Sequence, residues 1–509
     1  TGSNFVAGLK LKDITDGGEY SLKELMQTVI KSGQIEIIPD RFNKTYFHWI
    51  DNLRDWCISR QLWYGHQIPV WYKGGETYAG IEAPQEDGWT QDPDTLDTWF
   101  SSGLWTFSTL GYPDLNAEDL KNFHPTTVME TGYDILFFWV ARMILMTTYV
   151  MGDIPFEKVY LHGLVRDEQG RKMSKSLGNV INPLDTIAEY GADATRLSLV
   201  IGNSPGNDLR LSVDKVAGYR NFTNKLWNIA RFMLINIDKP QSVVDLPVAN
   251  TLADRWILNR LGKVAGEVTE NIEKFNFSYA GEVLRDFTWG ELADWYLEIA
   301  KVEGGKAEIL NYLLNTVLKL WHPFMPFVTE QIWQEAYGDG LIMVAGWPKI
   351  KIEGNVDDFV LIKDIVSGIR ALRAECKIEP VRKLNVAISG NKFIDLLHDN
   401  QDVIKQLGRL EVLTIEENIS KPEGSVGFIV GGVEVFVDVG STIDKEKETV
   451  RLQKEIEMTE KYLVGLESKL SNTEFVSNAP VAVVEKEKQK LAEAKDKVEK
   501  LKNQLNQLR

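Results

Sequence analysis

The chain is poor in cysteine, in histidine and in long apolar runs, and each shortage narrows what it can be. Cys57 and Cys376 are its two cysteines. A disulfide framework and a Cys-rich zinc site are both excluded, and a reducing, cytoplasmic setting is expected. No stretch of 18 consecutive apolar residues suggests a membrane span, so no membrane partner is expected. The opening Thr1-Gly2-Ser3-Asn4 has neither an initiator Met nor a basic start followed by an apolar run, so it does not read as a signal peptide. Positive charge is also scarce, with 57 Lys and Arg against 73 Asp and Glu, for a formal charge of −16. That argues against a protein coated in nucleic-acid-binding charge. The deficit is uneven, because residues 441–509 hold 14 Lys and Arg against 13 Asp and Glu. Local patches can still meet RNA.

At 509 residues, 44% of them apolar and 26% charged, the chain has room for three or four domains with cores. The fold class expected is a multidomain α/β plus all-α protein. Residues 1–40 are mixed, with Gly17-Gly18 followed by a helix over Leu22 to Lys31. Residues 41–214 are rich in aromatics and alternate short apolar runs with helical patterns, the mark of an α/β domain. Residues 215–350 read as a helical bundle. Leu226, Ile229, Ala230 and Met233 share one face, Trp256, Leu258, Leu261 and Val264 approximately share another, and a helix through Leu310, Leu314 and Trp321 stops at His322-Pro323. Residues 351–440 read as a small α/β junction domain, with a helix around Ile362 to Ala374 and strand-like runs at Lys383–Ile388 and Phe428–Val439, each bounded by Gly or Pro. Over 441–509, Leu452, Ile456, Leu463, Leu466 and Leu470 on one side, and Leu491, Ala494, Val498, Leu501 and Leu505 on the other, keep heptad spacing. A turn over Ser471–Pro480, carrying Phe475, separates the two runs. Two seams of equal length predict an antiparallel coiled-coil hairpin rather than a dimer, in an otherwise monomeric protein.

The chemistry concentrates in Gly170-Arg171-Lys172-Met173-Ser174-Lys175-Ser176-Leu177-Gly178-Asn179. Two lysines and two hydroxyls on a Gly-flanked loop can close over a polyphosphate, with Lys172 and Lys175 supplying charge to developing oxyanions. Asn182-Pro183-Leu184-Asp185 opens a helix just after it. The five residues Lys172–Ser176 resemble the signature loop of class I aminoacyl-tRNA synthetases. Asp55-Trp56-Cys57-Ile58-Ser59-Arg60-Gln61-Leu62-Trp63-Tyr64-Gly65-His66 and Asp97-Thr98-Trp99-Phe100-Ser101-Ser102-Gly103 resemble blocks shared by the valine, isoleucine and leucine enzymes. The Gln61-Leu62 form is similar to the valine branch, although Tyr64 stands where a second Trp is usual. The chain thus resembles the class I valyl-tRNA synthetases from about residue 25 to its end.

That resemblance implies a set of roles. Lys172, Ser174, Lys175 and Ser176 would be catalytic. Gly132, Asp134, His162, Gly163, Met173 and Lys175 would bind ATP, Gly132 and Asp134 lying in Thr131-Gly132-Tyr133-Asp134-Ile135. Trp63, Tyr64 and Trp99 would wall the valine pocket, while Arg142 would be a structural partner. Tyr219, Arg220, Asn224 and Lys225, and Arg451 and Lys454 on the arm, would touch tRNA(Val). Magnesium would accompany ATP, and no zinc is expected, since the loop from Lys73 to Trp89 has no Cys or His.

The family also implies something this sequence lacks. None of its six His (His48, His66, His124, His162, His322, His398) stands in a His-x-Gly-His element. The expectation is therefore a C-terminal portion: residues 1–40 a remnant of the editing-domain connection, and residues 41–214 the second half of the nucleotide-binding fold. Such a chain would be inactive alone and completed by a complementary N-terminal chain. A non-catalytic tRNA-binding fragment, a subunit of a split synthetase, and an isoleucine enzyme remain open alternatives.

Overall fold

The protein is described by a computed structural model over residues 5–6, 19–350, 357–379, 381–439, 445–472 and 481–508. Gly17-Gly18 and the Phe475 turn lie outside the described residues. The chain divides into two compact units, residues 1–223 with 269–282 and residues 224–268 with 283–509.

The first unit starts from helix α1 (Leu22–Lys31). Ser21 caps it reciprocally: its Oγ accepts from the Glu24 N–H at 3.3 Å, and the Glu24 carboxylate accepts from the Ser21 N–H at 2.8 Å. Its apolar spacing buries Leu25, Met26, Val29 and Ile30. Then come β1 (Glu36–Ile38), α2 (Phe42–Asp51), β2 (Thr126–Gly132), the helical run α3 (Tyr133–Met151) and β3 (Phe156–His162). The strands form a parallel sheet in the order β1–β3–β2. Ile37, Met129, Val159 and Leu161 drop into one core with α1, α2 and α3.

By length and composition α3 would suffice to cross a membrane, which the sequence reading did not anticipate. Its apolar side chains serve the core instead: Leu136, Val140, Ala141, Met143 and Ile144 are all buried there.

Between α2 and β2 lie a three-stranded antiparallel sheet (Val70–Lys73, Glu76–Ala79, Thr90–Gln91) and a short pair, Ser59–Arg60 with Thr95–Leu96. A helix over Thr98–Gly103 follows, its first turn capped by Asp97. Beyond β3 the chain makes a short parallel pair, Val165–Arg166 with Leu209–Arg210. Helix α4 (Pro183–Tyr190) starts at an Asn182 cap with proline in its first turn, and α5 (Ala192–Val200) and α6 (Val213–Ile235) follow.

The second unit contains much of α7 (Leu252–Glu273), then α8 (Ala307–Trp321) and α9 (Asp357–Glu375). Trp256, Leu258, Leu261, Leu310, Leu314 and Trp321 are all buried, as their spacing predicts. A mixed sheet follows: β4 (Leu384–Ser389), helix α10 (Gln401–Gly408), β5 (Leu410–Glu416), β6 (Ser425–Val430) and β7 (Val433–Asp438), in the order β5–β4–β7–β6. The single strand expected over Phe428–Val439 is a hairpin, because Gly431 and Gly432 take φ of 55° and 86° and turn the chain back.

Helices α11 (Lys445–Ser471) and α12 (Val481–Leu508) pack along each other. Leu452, Ile456, Leu466, Ala494, Val498 and Leu501 are buried in their seam. Lys497–Glu455 (3.0 Å), Lys502–Glu460 (2.7 Å), Lys495–Glu467 (2.8 Å) and Lys469–Glu487 (3.2 Å) fix an antiparallel register.

Candidate active site

In a parallel sheet, ligands meet the chain at the carboxyl ends of the strands. Here those ends bring together Gly132 of β2 and His162 of β3, which pair in register. Asp134 lies in the first helical turn beyond Gly132. A Cβ on Gly132 would stand 2.6 Å from Asp134 Oδ1 and 3.5 Å from His162 Cε1, so these three residues share one small space. His162 Nδ1 lies 2.7 Å from the Gly163 carbonyl oxygen, and its Nε2 lies 3.3 Å from the Glu130 carboxylate. Gly163 is a close-approach glycine, since a Cβ there would fall 1.7 Å from the Asn207 carbonyl oxygen.

Asp208, next to that contact, joins the sheet end to the lysine loop. It accepts from the Leu164 N–H (2.9 Å), from the Tyr133 hydroxyl (3.0 Å) and from Arg166. Burial alone would raise its carboxyl; the Leu164 N–H, Arg166 and Tyr133 together outweigh burial and hold it below the usual range. On the other side Arg41 donates to Asn207 Oδ1 at 2.8 Å, and Phe42 stacks on Tyr133 at 5.7 Å.

The loop itself is knitted at its base. Asp167 accepts from Asn179 Nδ2 (2.9 Å), from the Arg171 N–H (2.8 Å) and from Arg171 Nε (2.7 Å). Led by the Asn179 amide, these donors bring its carboxyl down to about 2. Asn179 Oδ1 in turn accepts from the Ser174 N–H at 2.9 Å. Ser174 Oγ lies 3.1 Å from Ser176 Oγ and accepts from the Leu177 N–H at 3.3 Å. Met173 packs on Ala194, Leu211 and Val216. Lys172 and Lys175 remain exposed, and neither has an ion-pair partner among the described residues. Gly170 and Gly178, with φ of 79° and 64°, close the turn at either end.

The three pocket candidates do not form one wall. Trp99 stacks on Phe138 at 5.9 Å, whereas Trp63 is 97% exposed and Tyr64 90%. Sequence reasoning missed a cavity of about 740 Å³ in this unit, lined by Met26, Trp49, Leu53, Trp56, Phe137 and Arg142 among others. Arg142 lies 3.8 Å over the Trp56 ring, and both Trp56 Nε1 (3.0 Å) and Arg60 (2.5 Å) donate to Asp97. Asp97 was quoted as part of a motif, but nothing in the spacing tied it to Trp56 and Arg60.

The RNA-contact candidates are placed in several ways. In the first unit, Tyr219 packs beside the Ala194–Leu211–Val216 cluster, and Arg220 donates to the Glu189 carbonyl at 2.9 Å, near the end of α4. In the second, the Asn224 carbonyl accepts from Asn228 at 2.9 Å, and Lys225 pairs with Asp294 at 3.1 Å beside the Trp289 ring. Arg451 is engaged with Glu455 and the Gly427 carbonyl, while Lys454 is exposed. Among the described residues, no group of three His, Cys, Asp or Glu is arranged to hold a metal ion.

Comparison with known families gives this geometry its class. Residues 19–83 and 79–212 match the model of class I tRNA synthetases (I, L, M and V). Residues 254–388 match the anticodon-binding domain of tRNA ligases, and residues 444–509 the valyl tRNA synthetase tRNA-binding arm. In order along the chain, then, the similarity is to class I tRNA synthetases, to an anticodon-binding domain and to a valyl-type tRNA-binding arm.

The individual relatives agree with that order. The chain is 42% identical over 512 residues to the Valine--tRNA ligase of Geobacillus kaustophilus (strain HTA426), covering 96% of this chain and 58% of that protein. It is 44% identical over 495 residues to that of Bacillus thuringiensis subsp. konkukian (strain 97-27), covering 93% and 56%. The chain thus spans a little over half the length of the curated relatives it matches. Among solved structures, a LeuRS of Agrobacterium radiobacter K84 in a ternary complex with tRNA and LeuAMS shares its fold, with a TM-score of 0.51 at 23% identity over 59% of this chain and 42% of that one.

These matches correct one expectation. The sequence was read as a C-terminal portion without the N-terminal half of the class I nucleotide fold, keeping only its second half. The class I match opens at residue 19 and continues to residue 212, and the relatives align over more than nine-tenths of the chain. A missing His-x-Gly-His spacing was too local a signal for so broad a conclusion. The complementary N-terminal chain inferred from it has no support and is set aside.

Proposed function

We propose that the protein is a valine--tRNA ligase, joining L-valine to tRNA(Val) at the expense of ATP and releasing AMP and diphosphate. The observation that carries this reading is the lysine loop. It presents Lys172 and Lys175 without ion-pair partners among the described residues, on a base knitted by Asp167 and Asn179 and joined through Arg166 and Asp208 to the Gly132–His162 end of the parallel sheet. Magnesium enters as the ion carried by the ATP phosphates.

In this reading the adenosine lies against Gly132, which has no side chain to hold it off, and beside His162-Gly163. Asp134 accepts from a ribose hydroxyl or from the valine ammonium. The two lysines neutralise charge that grows on the diphosphate as the valine carboxylate attacks the α-phosphorus, with Ser174 and Ser176 holding the loop's turn. Trp99, braced on Phe138, and the uncovered rings of Trp63 and Tyr64 offer apolar surface for the valine side chain. A small aliphatic substrate gives little binding energy, so of the three the braced ring of Trp99 is the one able to exclude larger side chains. The helices of residues 215–350 and the arm receive tRNA(Val).

ATP–pyrophosphate exchange with each amino acid in turn tests this. Exchange driven by valine well above that driven by isoleucine or leucine is the expected result. Exchange driven preferentially by isoleucine or leucine overturns it.

A further inference from the structure

The coiled-coil arm is fastened to the small mixed sheet at the β6–β7 hairpin, and the fastening is specific. Leu452, Ile456 and Leu501 form a small core with Ile429 of β6, with Leu505 packed against it. On either side of that core a cationic side chain reaches across to a backbone carbonyl of the β6–β7 hairpin. Arg451 Nη2 donates to the Gly427 carbonyl at 2.8 Å, and Lys500 Nζ donates to the Gly432 carbonyl at 2.7 Å. The two pins come from different helices, and one grips the interior of β6 while the other grips the β6–β7 turn. Each is oriented by an acid on its own helix, Arg451 by Glu455 at 3.2 Å and Lys500 by Asp496 at 3.2 Å. Glu455 is also held by Lys497 at 3.0 Å. Both cationic side chains are four-fifths covered, so their charge faces protein rather than an incoming polyanion.

The geometry points to Arg451 and Lys500 as positioning residues that fix the direction of the arm, not as contacts for RNA. Leverage makes this consequential. From Leu452 to the end of α11 at Ser471 the helix extends about 28 Å. A tilt of about 10° at the base would therefore move the far end by about 5 Å, more than the reach of a hydrogen bond. The apolar core restrains where the base lies, but apolar contact is non-directional. Two directed hydrogen bonds on different helices restrain rotation about it. The consequence for RNA rests on the reading of the arm as a tRNA-binding element.

The test compares the full chain with an Arg451→Met, Lys500→Met double variant, which keeps the apolar stems and removes the donors. Spin labels at Val412→Cys in β5 and Val464→Cys on α11, with Cys57→Ser and Cys376→Ser, report the sheet-to-arm distance distribution. A narrow distribution that broadens at least twofold in the variant, with helix content unchanged by circular dichroism, is expected. The affinity for a tRNA(Val) transcript should fall about tenfold alongside. Arg451→Gln, a neutral donor, should recover part of that affinity, whereas a phosphate contact would be lost with the charge. An unchanged distance distribution overturns the assignment. So does an Arg451→Gln variant as weak as Arg451→Met in a distribution that stays narrow. If the unaltered chain binds tRNA no better than a chain lacking the arm, the tRNA reading fails, while the distance measurement still decides the positioning role.

Discussion

At the scale of single residues, Lys175 and Asp167 divide the labour of the loop. Lys175 is exposed and unpaired among the described residues, so the fold makes little use of it. Replacing it with Ala should lower the rate of valine-dependent pyrophosphate exchange by 10²-fold or more, about 3 kcal/mol of transition-state stabilisation, and leave the valine KM within about twofold. Equal losses in rate and in valine affinity would contradict its role. Asp167 is the opposite case, with its carboxylate used up inside the loop. Asp167→Ala should raise the rate of tryptic cleavage after Arg171, Lys172 and Lys175 several-fold at neutral pH, because Asn179 and Arg171 lose their acceptor. Its carboxyl is depressed to about 2 in the fold. The contribution of this charge is then complete above about pH 4, the ordinary value, and is lost as the pH falls toward 2. Hydrogen exchange of residues 167–179, normalised for intrinsic rate, should show protection fading only in that interval. The lysines, the serines and the glycines were legible because their types and spacing carry the motif. Asp208 and Asp97 were not, because a carboxylate that gathers donors from distant parts of the chain leaves no local pattern.

At the scale of elements, periodicity was the dependable guide. The coiled-coil seams, the end of α8 before Pro323 and the capped start of α4 all lie where spacing and caps put them. The β6–β7 hairpin was read as one strand because Gly431-Gly432 sits inside a continuous run of β-formers. Helix α10 and strand β5 were not anticipated at all. The second unit also contains a buried ionic centre that no periodicity signals. Lys306 Nζ contacts Asp254 at 2.8 Å and Glu303 at 2.5 Å, and the Tyr296 hydroxyl donates to Asp254 at 2.8 Å. Lys306→Met should destabilise this unit by about 3–5 kcal/mol, because Asp254 would remain buried without its cation. Chemical denaturation followed by tryptophan fluorescence measures this, and a loss below about 1 kcal/mol would mean that water or a neighbour replaces the lysine. In the first unit, Gly163→Ala should lower the melting temperature by several degrees, since the new methyl has only the Asn207 backbone to displace.

At the scale of the whole molecule, the order of parts was readable: an α/β region with the lysine loop, a helical region, a small sheet and a coiled-coil arm. The extent of the class I region was not, because an inference from one absent motif outweighed the match that surrounds it. The net charge of −16 does not decide the matter of RNA binding, which depends on where cations stand. The claim on which the account depends is that this chain handles tRNA(Val). The measurement that tests it most directly is equilibrium binding of tRNA(Val) and tRNA(Ile) transcripts at a fixed salt concentration, to the full chain and to a chain ending at residue 440. The account predicts tighter binding of tRNA(Val) by the full chain, weakened at least tenfold when the arm is removed. Equal affinity for the two tRNAs, unaffected by loss of the arm, would contradict it.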